Sequence, residues 1–155
     1  MTGEHTVPEE TPTTASAASR ALRDLLLSAA VANQEIARRL GLTLGDLTAL
    51  DHLLAGEPLG TGELAQRLGM RSPSATAVLD RLESAGHVRR VSHPTDRRRV
   101  VIEATDDGKA RSERAVQPLI DELDRLAGSL REDEQELVTS FLTQAARVLR
   151  SYGHP

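Results

Sequence analysis

The 155-residue chain has no cysteine and no tryptophan, and its aromatic content is limited to one phenylalanine and one tyrosine. The absence of cysteine excludes disulfides, thiolate ligands for a metal and thiol redox sensing. The scarcity of aromatic residues leaves leucine, alanine and valine to build the interior, which favours packed helices over a large sheet.

Long apolar runs are also missing, since no stretch approaches the roughly 20 residues that cross a bilayer. The first 19 residues have neither the basic start nor the apolar centre of a secretory signal. We therefore expect a soluble, cytoplasmic protein. The length suits one domain with one substantial core.

The net charge is −4, but the charged residues are unevenly distributed along the chain. Residues 1–61 hold four basic and eight acidic side chains, and residues 101–155 hold seven basic and eleven acidic ones. Residues 62–100 reverse the balance, with eight basic and four acidic side chains. A basic segment between acidic flanks is expected of a localised phosphate-binding face, although an ordinary solvated surface is the simpler interpretation of charge alone.

The N-terminal third predicts a tail followed by two helices. Residues 1–17 are rich in Thr, Glu, Pro and Ala and have little apolar periodicity, so we expect a disordered tail. Apolar residues at steps of three and four then predict an amphipathic helix that ends at Gly41. Thr43 and Asp46 predict a capping-box start for a second helix over 44–54.

Two short helices and a hairpin follow. Thr61 is placed to cap a helix over 62–68, and Ser72 to cap a second one that stops at Gly86, with Pro73 in its first turn. Such a pair, joined by a short turn containing glycine, is a helix-turn-helix. The β-prone runs 88–91 and 100–103 predict a two-stranded hairpin with a basic tip. Two further helices are expected, over about 105–126 and 132–150.

Helix, turn, helix and hairpin in this order form a winged helix, whose second helix matches the width of the DNA major groove. An arginine-rich hairpin tip suits phosphates or a narrow minor groove. We therefore expect DNA contacts from two sets of residues. The predicted recognition-helix set is Arg71, Ser72, Ser74, Ala75, Thr76 and Arg81, and the predicted wing set is His93, Asp96, Arg97, Arg98 and Arg99.

Segment 63–110 closely resembles the MarR family of winged helix-turn-helix regulators. It contains in order the D-R-L-E of the recognition helix (80–83), the G-x-V entry to the hairpin (86–88), P-x-D-R-R (94–98) and T-x-x-G (105–108). The resemblance implies that Arg98 enters a minor groove and that Asp96 orients it. Many members carry Arg after the threonine that matches Thr76, whereas this chain has Ala77.

The resemblance extends over residues 18–150 and implies a homodimer. The DNA-binding part is then 42–104, and dimerisation falls to 18–41 and 105–150. The implied function is a sequence-specific, double-stranded DNA-binding repressor of a pseudo-palindromic operator, responsive to a small molecule that in this family is often phenolic, anionic or lipophilic. The apolar residues expected to form the dimer interface are Leu22, Leu25, Leu26, Leu119, Leu123, Leu126, Leu137, Phe141, Leu142 and Leu149.

The sequence also bears on three other functions. Residues 60–65 imitate the G-x-G-x-x-A dinucleotide fingerprint, but a helix and a Gly-Glu-Pro turn precede them where that motif needs a buried strand. The five histidines lack the spacing of a metal site, and no catalytic set is recognisable, so we expect neither metal, cofactor nor enzymatic activity. A winged-helix protein-interaction module that does not bind DNA remains the alternative function.

Overall fold

The computed structural model describes residues 16–93, 95–96 and 98–152. Within these ranges the chain is mainly helical and carries one antiparallel hairpin, as the sequence predicts. In chain order the elements are α1 (Ala17–Leu40), α2 (Leu44–Leu54), α3 (Thr61–Arg67), α4 (Ser72–Ser84), β1 (Val88–Ser92), β2 (Val100–Ala104), α5 (Asp106–Gly128) and α6 (Glu132–Tyr152).

The ends of α1 and the start of α2 follow from local chemistry. The Ser16 side chain accepts a hydrogen bond from the Ser19 N–H, so α1 begins within the predicted tail, of which residues 1–15 lie outside the described part of the chain. Gly41 ends α1 in the left-handed region at φ 70°, where a glycine has no steric cost. The reciprocal bonds between Thr43 and Asp46 confirm the predicted capping box.

The caps of the two short helices lie one residue before their predicted positions. The Gly60 N–H donates to the Glu63 carboxylate at 2.7 Å, and Thr61 is the first helical residue rather than the cap. Arg71, with extended backbone angles, is likewise the N-cap of α4, and Ser72 is its first residue. In both cases the sequence predicts the N-cap one residue too late, because a threonine or serine, the usual cap residue, is here the first residue of the helix.

A third short pairing completes the hairpin region. Leu59 and Ile102 exchange both backbone hydrogen bonds, at 3.1 and 2.8 Å, in an antiparallel bridge. The 56–60 segment, expected to be a plain turn, thus ends in an extended residue on the edge of the β1–β2 pair. Because this pairing is antiparallel, the following Gly60–Ala65 motif lies outside any βαβ unit.

Two apolar clusters position these elements. The larger one joins α2, α3, α4 and the hairpin, with Leu50, Leu64, Leu79, Leu82 and Ile102 at most 1% exposed. The smaller one joins α1 to α2 through Ala37, Leu40 and Leu47. No helix in the described ranges has the combination of length and apolar content that a bilayer crossing needs.

Candidate DNA-binding surface

The outer face of α4 is exposed at three predicted contact residues: Ser72, Ser74 and Thr76. Its inner face is an unbroken apolar stripe at steps of three and four. The Thr76 hydroxyl donates to the Ser72 carbonyl at 3.0 Å, so its proton is used within the helix and its oxygen can still accept a hydrogen bond. The surface that the first two turns of α4 present is therefore small, hydroxyl-rich and uncharged, whereas the exposed charges of Asp80 and Arg81 lie further along the helix.

The prediction that Ala75 contacts DNA is wrong. Ala75 is 0% exposed, because it occupies the first position of the stripe that continues through Val78, Leu79 and Leu82 into the core. The exposed alanine of this helix is Ala77. Counting in steps of three and four back from Leu82 would have placed Ala75 inside.

Arg81 is placed by an ion pair as well as by its position on α4. Its Nε and Nη2 atoms donate to Oδ1 of Asp46 at 3.1 and 2.6 Å. The Asp46 side chain is 3% exposed, whereas that of Arg81 is 52% exposed. Burial acts to raise the pKa of Asp46, but hydrogen bonds from Arg81 and Thr43 outweigh it and hold the pKa below its usual value. Arg81 therefore fixes α4 against the start of α2.

We expect Arg81→Met to destabilise the fold, because it leaves the buried Asp46 carboxylate without its cation. Since half of the Arg81 side chain is exposed, solvent screening limits the loss to about 1–2 kcal/mol, below the 3–5 kcal/mol of a fully buried pair. Urea unfolding at pH 7 measures it. The control Arg39→Met breaks only an exposed i,i+4 pair with Glu35 and should change stability by less than about 0.5 kcal/mol. Equal stability of the two variants would contradict this role.

The wing tip is ordered by two side chains of the predicted wing set, Asp96 and His93. Oδ1 of Asp96 accepts the backbone N–H of Arg98 at 3.0 Å, so the aspartate shapes the turn rather than holding the guanidinium. Nδ1 of His93 accepts the N–H groups of Thr95 and Asp96, both at 3.3 Å. Arg97 lies outside the described residues.

An arginine that already pairs with a carboxylate is less available to bind phosphate, so the ion pairs of the basic segment distinguish its arginines. Arg89 pairs with Glu103, and Arg90 pairs with both Asp80 and Glu83. Arg99 contacts Glu63 of α3 at 3.4 Å, which ties the wing to the helix-turn-helix. Among the described residues of the basic segment, the arginines left without an ion pair are Arg67, Arg71 and Arg98.

A buried histidine lies where the segment after α4 contacts α5. His87 lies directly before β1 and is 0% exposed. Its Nε2 lies 2.7 Å from Nη2 of Arg111, whose Nη1 donates to the Ala85 carbonyl at 3.1 Å. Because a guanidinium only donates, Nε2 is the acceptor and the proton lies on Nδ1. Burial and the Arg111 charge both lower the pKa of His87.

We expect this histidine to make the protein less stable in mild acid. The unfolded chain takes up a proton near the ordinary pKa of 6.5, while the folded chain resists protonation to a lower pH. The free energy of unfolding therefore falls as pH drops through about 6.5, and this loss levels off below the folded pKa. Chemical denaturation between pH 7.5 and 5.5 measures it. His87→Leu should flatten the dependence, and the control His93→Gln should not; parallel curves for wild type and His87→Leu would contradict the assignment.

The residues predicted to form a dimer interface lie on α1, α5 and α6. Leu22 is half-buried and the other nine are exposed, from 38% at Leu119 to 72% at Leu137. No described residue of α6 is buried, although its apolar side chains recur on one face.

Comparisons with known proteins agree with this geometry. The family model described as "MarR family" matches residues 34–99. An uncharacterised HTH-type transcriptional regulator, YcgE of Bacillus subtilis, is 38% identical over 117 residues, which are 76% of this chain and 76% of that protein.

Solved structures show the same arrangement. RV1404 from Mycobacterium tuberculosis is 25% identical with a TM-score of 0.67, over 88% of this chain and 97% of that one. The transcriptional repressor CouR, bound to a 23-mer DNA duplex, is 30% identical with a TM-score of 0.56, over 81% of this chain and 89% of that one. The chain therefore belongs to the MarR family of helix-turn-helix transcriptional regulators.

Proposed function

We propose that two copies of this chain pair through α1, α5 and α6 and act as a repressor on a pseudo-palindromic duplex. The apolar face of α6 supports the pairing, because within one chain it covers no core and a second copy would remove it from water. Two-fold symmetry then presents two copies of α4 to half-sites about one helical turn, roughly 34–36 Å, apart.

Each copy would place α4 in a major groove and its wing beside the adjacent minor groove. Ser72, Ser74 and Thr76 are the exposed groups that face base edges in this arrangement. With Ala77 where many family members carry arginine, sequence preference rests on these hydroxyl groups and on DNA shape. Arg71, at the N-cap of α4, is available for the phosphate backbone.

The single observation that carries this proposal is that two exposed surfaces of one chain, each suited to DNA, lie side by side. A groove-sized helix with an exposed hydroxyl face lies beside an exposed hairpin whose Arg98 has no carboxylate partner among the described residues. The repressor CouR, seen bound to duplex DNA, has the same fold and is 30% identical.

A small effector bound between the dimer helices and the helix-turn-helix would change the spacing of the two α4 helices and release DNA, provided it binds the released state more tightly.

Selection from a pool of random duplexes tests the proposal directly. We expect enriched sequences to contain two inverted half-sites, with one dimer bound per site in sedimentation velocity and affinity that falls steeply with salt. A folded dimer that binds no duplex even at low salt would favour the protein-interaction module. A folded monomer would overturn the two-fold arrangement.

A further inference from the structure

The wing is attached to the start of α3 at two places. Leu59, the residue before the Gly60 cap, exchanges both backbone hydrogen bonds with Ile102 of β2. Closer to the wing tip, Nη2 of Arg99 lies 3.4 Å from Oε1 of Glu63. The first attachment is a backbone pairing, whereas the second depends on the charges of one guanidinium and one carboxylate.

The two carboxylate oxygens of Glu63 have different partners. Oε2 accepts the Gly60 N–H at 2.7 Å and so caps α3, while Oε1 faces Arg99. The Gly60 N–H, and then the charges of Arg99 and Arg67, hold the pKa of Glu63 below its usual value. The carboxylate is therefore ionised at neutral pH. Glutamine at this position would keep the capping bond and lose only the charge.

The backbone of Arg99 is fixed within the wing-tip turn. Its N–H donates to the Asp96 carbonyl and its own carbonyl accepts from the His93 N–H, both at 2.9 Å. It directly follows Arg98, whose guanidinium has no carboxylate partner among the described residues. A change of partner by the Arg99 side chain therefore requires no rearrangement of the turn.

The side chain of Arg99 is held more weakly than the other paired arginines of the basic segment. Its distance of 3.4 Å to Glu63 compares with 2.6 Å for the pairs of Arg81, Arg89 and Arg90, and both partners are 52% exposed. Strong charge-assisted hydrogen bonds measure about 2.7–2.9 Å. Duplex DNA carries one negative charge per about 1.7 Å of its axis, so a phosphate strand can replace this single carboxylate.

We propose that Glu63 holds Arg99 in the DNA-free protein and releases it to a phosphate of the bound duplex. The first helix of a helix-turn-helix crosses the DNA backbone and a wing lies beside the adjacent groove, so a contact between them lies next to a phosphate strand. Because the ion pair must break before Arg99 binds phosphate, Glu63 lowers the affinity for duplex of any sequence. The inference rests on the proposed DNA binding and adds a residue that limits it.

Glu63→Gln should raise affinity for a random-sequence duplex about three- to fivefold at low salt, as expected from the loss of one exposed ion pair. The gain should shrink as salt is added, because salt already screens the pair in the wild type. Fluorescence anisotropy measures both, and an unchanged urea midpoint shows that the cap is retained. The control Glu57→Gln removes an equal charge from the turn between α2 and α3 and should change affinity by at most about 1.5-fold.

Arg99→Ala separates the release of an arginine from simple repulsion between Glu63 and DNA. Alone, it should weaken binding and reduce the slope of log affinity against log salt concentration by about one. In this background Glu63→Gln should no longer raise affinity, because there is no guanidinium to release. A gain of the same size in both backgrounds would show repulsion alone and overturn the proposal. Unchanged or weaker binding by the single variant Glu63→Gln would overturn it as well.

The ion pair itself can be measured without DNA. Carboxyl ¹³C NMR should give Glu63 a higher pKa in Arg99→Ala than in the wild type, because one of the charges that lower it is gone. Identical pKa values would contradict the pair. If the wild type binds no duplex, the proposed function fails, and the release step fails with it. If the wild type binds and Glu63→Gln binds equally well, only the release of Arg99 is wrong and the regulator stands.

Discussion

Arg98→Ala should reduce affinity for the selected duplex by about 10- to 100-fold, which corresponds to about 1–3 kcal/mol. Arg98 lies at the tip of an exposed hairpin and, within the described part of the chain, its guanidinium has no carboxylate partner. An unpaired guanidinium loses no internal ion pair when it binds DNA, so its full electrostatic attraction is available to a phosphate or a narrow minor groove. Fluorescence anisotropy with a labelled duplex measures the change.

The control for Arg98 is Arg131→Ala, which removes the same charge from the loop between α5 and α6, where Arg131 pairs with Asp133 and Glu134. It should leave DNA affinity within about twofold of wild type. If Arg98 enters a minor groove, Arg98→Ala should relax the preference for A·T-rich flanks. If Arg98 instead contacts a phosphate, the substitution should reduce the slope of log affinity against log salt concentration by about one. Unchanged affinity with intact dimerisation would remove the wing from the mechanism.

Gly108→Ala should prevent α5 from docking and cost about 3 kcal/mol or more. A Cβ at this position would lie 2.2 Å from the His87 carbonyl oxygen and 2.8 Å from its carbonyl carbon. Both are backbone atoms, held by the hydrogen bond from the Thr105 N–H to the His87 oxygen at 3.0 Å, so no side-chain rotation relieves the clash. Thermal and urea unfolding should show a large loss or a poorly folded protein.

A matched substitution separates this clash from the ordinary effect of alanine in a helix. Gly62→Ala, at an exposed position of α3, meets nothing within 4 Å of the added carbon and should be neutral or slightly stabilising. Should Gly108→Ala fold with wild-type stability, the close contact between α5 and His87 would have to be wrong, and with it the packing of α5 against the segment that leads into the wing.

The T-x-x-G motif shows which contacts a local sequence pattern predicts and which it does not. From sequence it marks a capped helix start, and the Gly108 N–H does donate to the Thr105 hydroxyl oxygen at 2.9 Å. The same hydroxyl donates across to the Gly86 carbonyl at 2.7 Å, at the end of α4. That second bond and the need for glycine arise only once α5 lies against the segment before β1, and Gly86 is 19 residues from Thr105 in sequence.

Side-chain roles on the DNA-binding surface were less predictable than the elements that carry them. Arg81 and Ala75 both lie on the predicted recognition helix, yet one holds a buried carboxylate and the other is in the core. Asp46 is 35 residues from Arg81, and helix periodicity says nothing about contacts between separate helices. The same holds for Glu63, whose contact with Arg99 joins α3 to the wing.

Local chemistry within the sequence was enough to determine the six helices, the hairpin and the basic middle segment, because hydrophobic periodicity, helix caps and turn residues act over a few positions. Only the tertiary structure decided which arginines remain unpaired and that His87 is buried where α5 packs against the segment before β1. These properties depend on distances between residues far apart in the chain, which are set when the helices pack.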